Sequence, residues 1–240
     1  MRHFKMQLID AITQKSIQSA GGVVYVAANG DLAKATLYDA DGAAASNPSA
    51  LTNGVIEFYT ADTVDNVDLY IQAPSGHFVV VKGIFASGPN AIYIDKTKLE
   101  TTMVIPCAIE NTAAATETNT GFSIPTKGIV TPVGVGFETV TIDSGITIDI
   151  GTLSTASGDA DGFIDGVSVA TAGFVKGTLT NGSVTLGALL KVQDSANAGD
   201  AVPESNTTMA GKAITYTLSS GADTAEGFIL LPIRLPASAL

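Results

Sequence analysis

Residues 137–152 read FETVTIDSGITIDIGT. Val140 and Ile142 precede a central Ser144-Gly145, and Ile146, Ile148 and Ile150 follow it, with Thr and Asp between them. In an extended chain successive side chains point to opposite faces, so this period of two predicts two strands about a turn, each with one buried and one wet face. The later runs FIDGVSVATA (163–172), SVTLGALLKVQD (183–194), GKAITYTLSSG (211–221) and EGFILLPIRLP (226–236) repeat the design, several closing on Ala-Gly or Ser-Gly. Together they predict an antiparallel sandwich of jelly-roll type rather than a parallel sheet.

The first hundred residues have the same texture in shorter pieces. GVVYVAANGDLAKATLYDADG (22–42) sets Val24 and Val26 on one face and Val23 and Tyr25 on the other. It then offers Asn29-Gly30 as a type I′ turn and a second strand from Ala33 to Tyr38, a hairpin closed by the DADG turn at Asp39–Gly42. NPSALTNG (47–54) adds an X-Pro bend and a further Asn-Gly. Strands are predicted at VIEFYTA (55–61), VDLYIQA (67–73) and HFVVVKGIF (77–85), spaced as in a small sandwich or barrel. DAITQKSIQSA (10–20) has too few apolar residues for more than one helical turn or a loop. TTMVIPCAI (101–109) is a predicted strand, and ENTAAATETNTG (110–121), without periodicity, is either a domain linker or an extended surface loop. The expected organisation is all-β: a small sandwich or barrel over 1–100 and a jelly-roll-like sandwich over 101–240.

Composition narrows the function. The net charge of −11 comes from 23 acids against 12 bases, distributed as 10 against 7 in residues 1–100 and 13 against 5 thereafter. An acidic surface repels a nucleic-acid backbone. One cysteine, Cys107, allows neither an intrachain disulfide nor a multi-cysteine zinc site, and reads as a small buried apolar residue. MRHFKMQLID (1–10) lacks the apolar core of a secretory signal, and no run approaches a membrane-spanning length.

No catalytic, cofactor-binding or metal-ligating residue is assigned. GDADGFIDG (158–166) has Asp159 and Asp161 where a calcium loop has its first and third ligands. Phe163, Ile164 and Ala170 then stand where that loop needs its fifth ligand, its glycine and its glutamate. The stretch reads as a turn, with an incidental ion on Asp159, Asp161 and Asp165 left open. GVSVA around Ser168 lacks the last glycine of a nucleophile elbow, and GVGFET at Gly134 has Thr139 where a dinucleotide loop has its third glycine. The only histidines are His3 and His77. The chain is not expected to be an enzyme or to carry a cofactor.

The sequence resembles two phage families. GGVVYVAANGDLAKATLYDADGAAASNPSALTNGVIEFYT (21–60) with VDLYIQAPSG (67–76) resembles a small β module found on phage structural proteins. TTMVIPCAI, TNTGFSIPTKGIV (118–130), TIDSGITIDIGT (141–152), DADGFIDGVSVATAGFV (159–175) and GKAITYTLSSGADTAEGFILLPI (211–233) resemble the β-sandwich domain of phage head decoration or cement proteins. The resemblance implies a homotrimer on the outer surface of the virion's capsid, whose partner is the major capsid protein and which clamps neighbouring coat subunits against internal DNA pressure. It makes residues 158–166 a turn between a strand through Leu153 and one from Phe163. The alternative is a head or tail fibre protein that recognises a host surface; its tip would cluster aromatics in loops, whereas the six tyrosines and nine phenylalanines here fall mostly in strand patterns.

Overall fold

The computed structural model describes residues 1–18, 21–28, 32, 34–86, 91–94, 98–112, 116–126, 128–141, 146–180, 183–192, 202–203, 209–219 and 222–235. It is all-β, apart from two single 3-10 turns at Ser154–Ala156 and Ala188–Leu190. The chain divides into two compact units between Leu99 and Glu100.

The first unit contains β1 (Arg2–Asp10), β2 (Val23–Ala28), β3 (Leu37–Tyr38), β4 (Ala44–Ala45), β5 (Ser49–Ala50), β6 (Val55–Thr60), β7 (Asn66–Gln72), β8 (Phe78–Phe85) and β9 (Ala91–Ile94). They form two sheets, ordered β4-β3-β6-β1-β9 and β5-β2-β7-β8. Alternation assembles one core: Phe4, Met6 and Leu8 of β1 and Ile56 and Phe58 of β6 pack in the same cluster as Val24 and Val26 of β2 and Val67, Leu69 and Ile71 of β7. The Phe4 and Phe58 rings stack, 5.1 Å between centroids. Strand β1 was not foreseen, although Phe4, Met6 and Leu8 carry its signal among charged neighbours. Pairing is antiparallel except at one edge, where β9 adds to β1 in parallel, against the expectation of wholly antiparallel sheets.

Two polar devices fix this unit. Asn47 takes the place of a missing ladder partner: its Nδ2 donates to the carbonyls of Val26 and Ala35, at 2.7 and 2.9 Å, and its Oδ1 accepts from Val26 N–H at 3.0 Å. Asp68, buried on the central strand β7, sits opposite a bulge in β8, where Lys82 and Gly83 together face it. Its Oδ1 accepts from Gly83 N–H at 2.8 Å and its Oδ2 lies 3.5 Å from Lys82 Nζ, and Gly83 has φ of +66°, a conformation that favours glycine.

The expected hairpin is only partly realised. Ala27 and Lys34 make an antiparallel bridge, but the chain then crosses to the other sheet, where Leu37–Tyr38 joins β4 and β6. Asn29-Gly30 lies outside the described residues. Residues 11–13 form a turn, as expected, held by Asp10 Oδ1, which accepts from the N–H groups of Ile12 and Thr13.

The second unit contains β10 (Glu100–Thr112), β11 (Thr118–Ser123), β12 (Ile129–Val130), β13 (Gly136–Thr141), β14 (Thr147–Thr152), β15 (Ile164–Ser168), β16 (Gly173–Lys176), β17 (Leu179–Thr180), β18 (Ser183–Val184), β19 (Lys191–Val192), β20 (Val202–Pro203), β21 (Ala213–Leu218) and β22 (Ala222–Arg234). The principal sheets are ordered β10-β22-β13-β16 and β11-β21-β14-β15; the short β12 pairs with β22, and β17-β18 and β19-β20 are small separate ribbons. Each principal sheet buries one face, with Met103, Ile105, Phe137, Ile229 and Leu231 from one and Phe122, Ile148, Ile150, Ile214 and Leu218 from the other. The segment 110–121 belongs to this unit, linking β10 to β11, and is not a domain linker.

Strands β13 and β14 correct the reading of residues 137–152. Ile146, Ile148 and Ile150 are buried, as the alternation demands, but Val140 is 51 % exposed. A bulge explains this: Thr139 faces Gly227 and Thr141 faces Glu226, so Val140 is the extra residue and the buried side is that of Phe137 and Thr139. The two strands do not pair with each other, because β13 lies between β22 and β16 while β14 lies between β21 and β15. Ile142 and Ser144-Gly145 lie outside the described residues. The run 183–194 is likewise no single strand: β18, a 3-10 turn and β19 divide its described part.

Replacing Asn47 by Ala would strand Val26 N–H and the Ala35 carbonyl. We expect Asn47→Ala to cost about 2–4 kcal/mol and Asn47→Asp, which keeps the acceptor but sets a carboxylate oxygen against the Val26 and Ala35 carbonyls, to cost at least as much at neutral pH, both read by urea unfolding.

Candidate functional site

The strongest concentration of polar chemistry in the second unit is the turn at residues 158–166. It leaves β14 through the 3-10 turn at Ser154–Ala156 and returns as β15. Its backbone is tied down throughout: Thr152 N–H donates to the Asp159 carbonyl at 2.7 Å, Gly162 N–H to the same carbonyl at 3.2 Å, and Phe163 N–H to Ile150 at 2.9 Å. Thr152 Oγ1 accepts from Asp159 N–H at 3.0 Å. A Cβ at Gly151 would overlap the Asp159 carbonyl and one at Gly187 would overlap the backbone of Asp161 and Gly162, so the turn is clasped from two sides by glycines. Phe163 and Ile164 are wholly buried and anchor the returning strand.

Four carboxylates surround this clasp. Asp149 Oδ1 accepts from Gly166 N–H at 2.7 Å. Burial, opposed by that hydrogen bond and reinforced by the charges of Asp165 and Asp161, raises the Asp149 carboxyl above its usual range. Asp159 is pushed up to about 6, first by its hydrogen bond with the Asp161 side chain, then by burial and by the Asp161 charge. Two carboxylates in hydrogen-bond contact share a proton because both cannot ionise cheaply. Among the described residues no three His, Cys, Asp or Glu side chains form a metal-ion site, so Asp159, Asp161 and Asp165 are brought near one another without a ligand set. The arrangement can store a proton.

A second constellation lies in the first unit and was not foreseen as a pair. Ser75 Oγ is 2.9 Å from His77 Nδ1, and His77 Nε2 is 2.8 Å from the Lys98 carbonyl oxygen. A carbonyl only accepts, so Nε2 carries a hydrogen and donates to it, while Nδ1 pairs with the serine hydroxyl. The imidazole is 4 % exposed and thus closed to a substrate. The pair pins the β7–β8 turn to the segment entering β10, and sequence spacing could have suggested the serine and histidine but not the carbonyl.

The other sequence candidates occupy structural positions. Ser168 is exposed at the end of β15, where its Oγ accepts from Ala170 N–H at 3.2 Å, a local turn bond. Gly134, with φ of +87°, is a turn residue leading into β13. Cys107 is buried on β10. Among the described residues no helix is long and apolar enough to cross a membrane.

Glu117, from the polar segment without periodicity, is a structural tie that sequence reasoning missed. Its Oε1 accepts from Ser154 N–H and Thr215 Oγ1, each at 2.9 Å, and its Oε2 accepts from Ser154 Oγ at 2.5 Å. Burial works to raise this carboxyl, but the hydrogen bonds from Ser154 and Thr215 outweigh it and hold the group below its usual value.

The Asp159 proton gives a pH test. A carboxyl raised on folding is bound more tightly by the folded chain, so its ionisation costs stability: the cost is absent below the ordinary value of 3.8 and fully present above about 6. With solvent screening of this half-exposed group the cost is about 1 kcal/mol. Asp159→Asn is therefore expected to raise the melting temperature by about 3 °C at pH 7.5 and by nothing near pH 3.5, measured by scanning calorimetry against the unchanged chain. Comparison of the chain with protein families, with curated proteins and with solved structures finds no match.

Proposed function

We propose that this chain is a bacteriophage structural protein that binds the outside of the capsid and cements neighbouring major capsid protein subunits. The observation that carries the reading is the outward face of the β10-β22-β13-β16 sheet. Cross-strand register aligns Pro106, Phe228, Glu138 and Phe174 in one row and Val104, Leu230, Gly136 and Lys176 in the next. A sheet face that meets only water carries polar residues at these positions. Here Phe174 is 47 % exposed and lies over Gly136, and Val133, beside the sheet, is 83 % exposed. These rows, apolar except for Glu138 and Lys176 and rimmed by Glu100, Glu226 and Arg234, have the make-up of a protein contact.

The strand order supports reading the second unit as a jelly roll. Numbering its eight principal strands from one, the sheets run 1-8-3-6 and 2-7-4-5, an order in which the chain repeatedly crosses between the sheets. The absence of an accessible acid–base pair around His77 fits a structural role better than a catalytic one. As a cement, many copies docking weakly would add their effects over the shell, and a trimer would present three docking faces at once.

Purified particles test this directly. Quantitative mass spectrometry is expected to find copies on the order of hundreds per particle, in proportion to the major coat protein, as shell-wide multivalent docking requires. A few dozen or fewer would favour the fibre reading, and absence from particles would overturn both. Phe174→Asp is expected to lower occupancy about tenfold or more while leaving the melting temperature within about 2 °C, since the ring packs on the surface.

A further inference from the structure

One of the Asn-Gly pairs that mark turns in the sequence, Asn53-Gly54, leads into β6. Val55 N–H donates to the Thr52 carbonyl at 2.9 Å, and the two residues between them have φ of +53° and +68°. Positive φ at both central positions makes this a type I′ turn, and Asn-Gly is a pair that adopts it readily. The turn is also fastened from outside. Leu8 N–H donates to the Gly54 carbonyl at 2.9 Å and Gln7 Nε2 to the Asn53 carbonyl at 3.3 Å, while a Cβ at Gly54 would overlap the Ile17 carbonyl.

The same pair carries chemistry of its own. The exposed Asn53 side chain ends in an amide carbon, Cγ, that closes a five-membered ring if it bonds to the backbone nitrogen of Gly54. Glycine has no Cβ to hinder that approach. Attack of the nitrogen forms the bond to Cγ and breaks the Cγ–Nδ2 bond, and the leaving ammonia takes the Gly54 N–H proton with it. Water then opens the cyclic imide at either of its carbonyls. One product has aspartate at position 53; the other is an isoaspartyl link, in which the main chain runs through the former side-chain carbon. Water is the only co-reactant.

The turn decides when this happens. Ring closure needs the Asn53 Cβ and the Gly54 nitrogen on the same side of the Cα–C bond, with the torsion between them near zero. In an L-residue that torsion is about 120° greater than ψ, so the type I′ ψ of about +30° sets it near 150° and turns Cγ away from the nitrogen. The closed turn therefore has the wrong geometry for cyclisation, and the Val55–Thr52 and Leu8–Gly54 bonds hold it there. The isoaspartyl product has the opposite problem. Its main chain is one atom longer, so it cannot keep both of those bonds and also return Gly54 to its close approach to the Ile17 carbonyl. The aspartyl product keeps the main chain and tolerates positive φ.

We propose that Asn53 is a latent self-modification site: shielded while the turn before β6 is closed, it cyclises onto Gly54 when the turn opens, and its isoaspartyl product prevents the turn from re-forming. Opening of the first unit becomes irreversible at this residue. The inference goes beyond the capsid reading and does not rest on it, because its test needs only the purified chain.

The test incubates the purified full chain at mildly alkaline pH, folded and in urea, beside a capped Thr-Asn-Gly-Val peptide, and follows conversion at residue 53 by peptide-mapping mass spectrometry. In urea the residue is expected to convert as fast as in the peptide. In the folded chain it is expected to convert at least about tenfold more slowly, since only the opened fraction reacts. After removal of urea, chains with the isoaspartyl link are expected to be depleted about tenfold from the refolded monomer, while chains with the aspartyl product refold like the unchanged one. Asn53→Gly, which accepts positive φ and has no side chain to cyclise, is expected to melt within about 5 °C of the unchanged chain and to lose no refolding yield at this position. Equal rates in the folded chain and in urea, or isoaspartyl chains that refold with the native melting temperature, would overturn the proposal.

Discussion

The second unit depends on one long ladder. Strands β10 and β22 run antiparallel from Glu100 opposite Arg234 to Thr112 opposite Ala222, so the first and last strands of the unit are joined along their whole length. Pairing residues this far apart in sequence carries a loop-closure cost that local contacts cannot offset. Burial offsets it: Met103, Ile105 and Cys107 on one strand and Ile229, Leu231 and Ile233 on the other are all within 2 % of full burial. Because β22 also receives β13 and β12, the sheet has no centre until the end of the unit has been made. The unit is a single cooperative object for that reason.

The polar residues that look chemical are mostly answers to backbone geometry. Glu117, Asn47 and Asp68 each satisfy groups left over where strands cross, end or bulge. Ser75 and His77 tie a turn to a neighbouring carbonyl. Buried N–H and C=O groups must find partners, and a sandwich whose chain repeatedly changes sheet creates many of them at its corners. The carboxylates around residues 158–166 differ in kind, since the Asp161 contact raises Asp159 and burial raises Asp149, and both shifts oppose stability. That turn is held by close backbone approach at Gly151 and Gly187 in spite of its charges.

The second unit leaves surface that its own strands do not cover. The outward sheet of the second unit offers apolar side chains, which suit a broad, shape-matched contact.

Alternation was legible in the sequence wherever the extended period is regular: Ile146, Ile148 and Ile150, or Val24 and Val26, are buried as their spacing requires. The fold class was legible from the same signal. Val140 escaped because a single bulge residue shifts the phase of everything after it, and nothing local announces the bulge. The clasp of residues 158–166 was readable as a turn, but not the raised carboxyl of Asp159, which needs Asp161 folded back against it. By itself the sequence determined the all-β class and, where the period is regular, which side chains turn inward, because both follow from steric preference and period along a few residues. Only the tertiary structure decided that β13 and β14 part to different sheets and that β22 pairs with β10. Strand pairing is a choice among distant backbones with identical hydrogen-bonding groups, and the burial of the whole unit makes that choice.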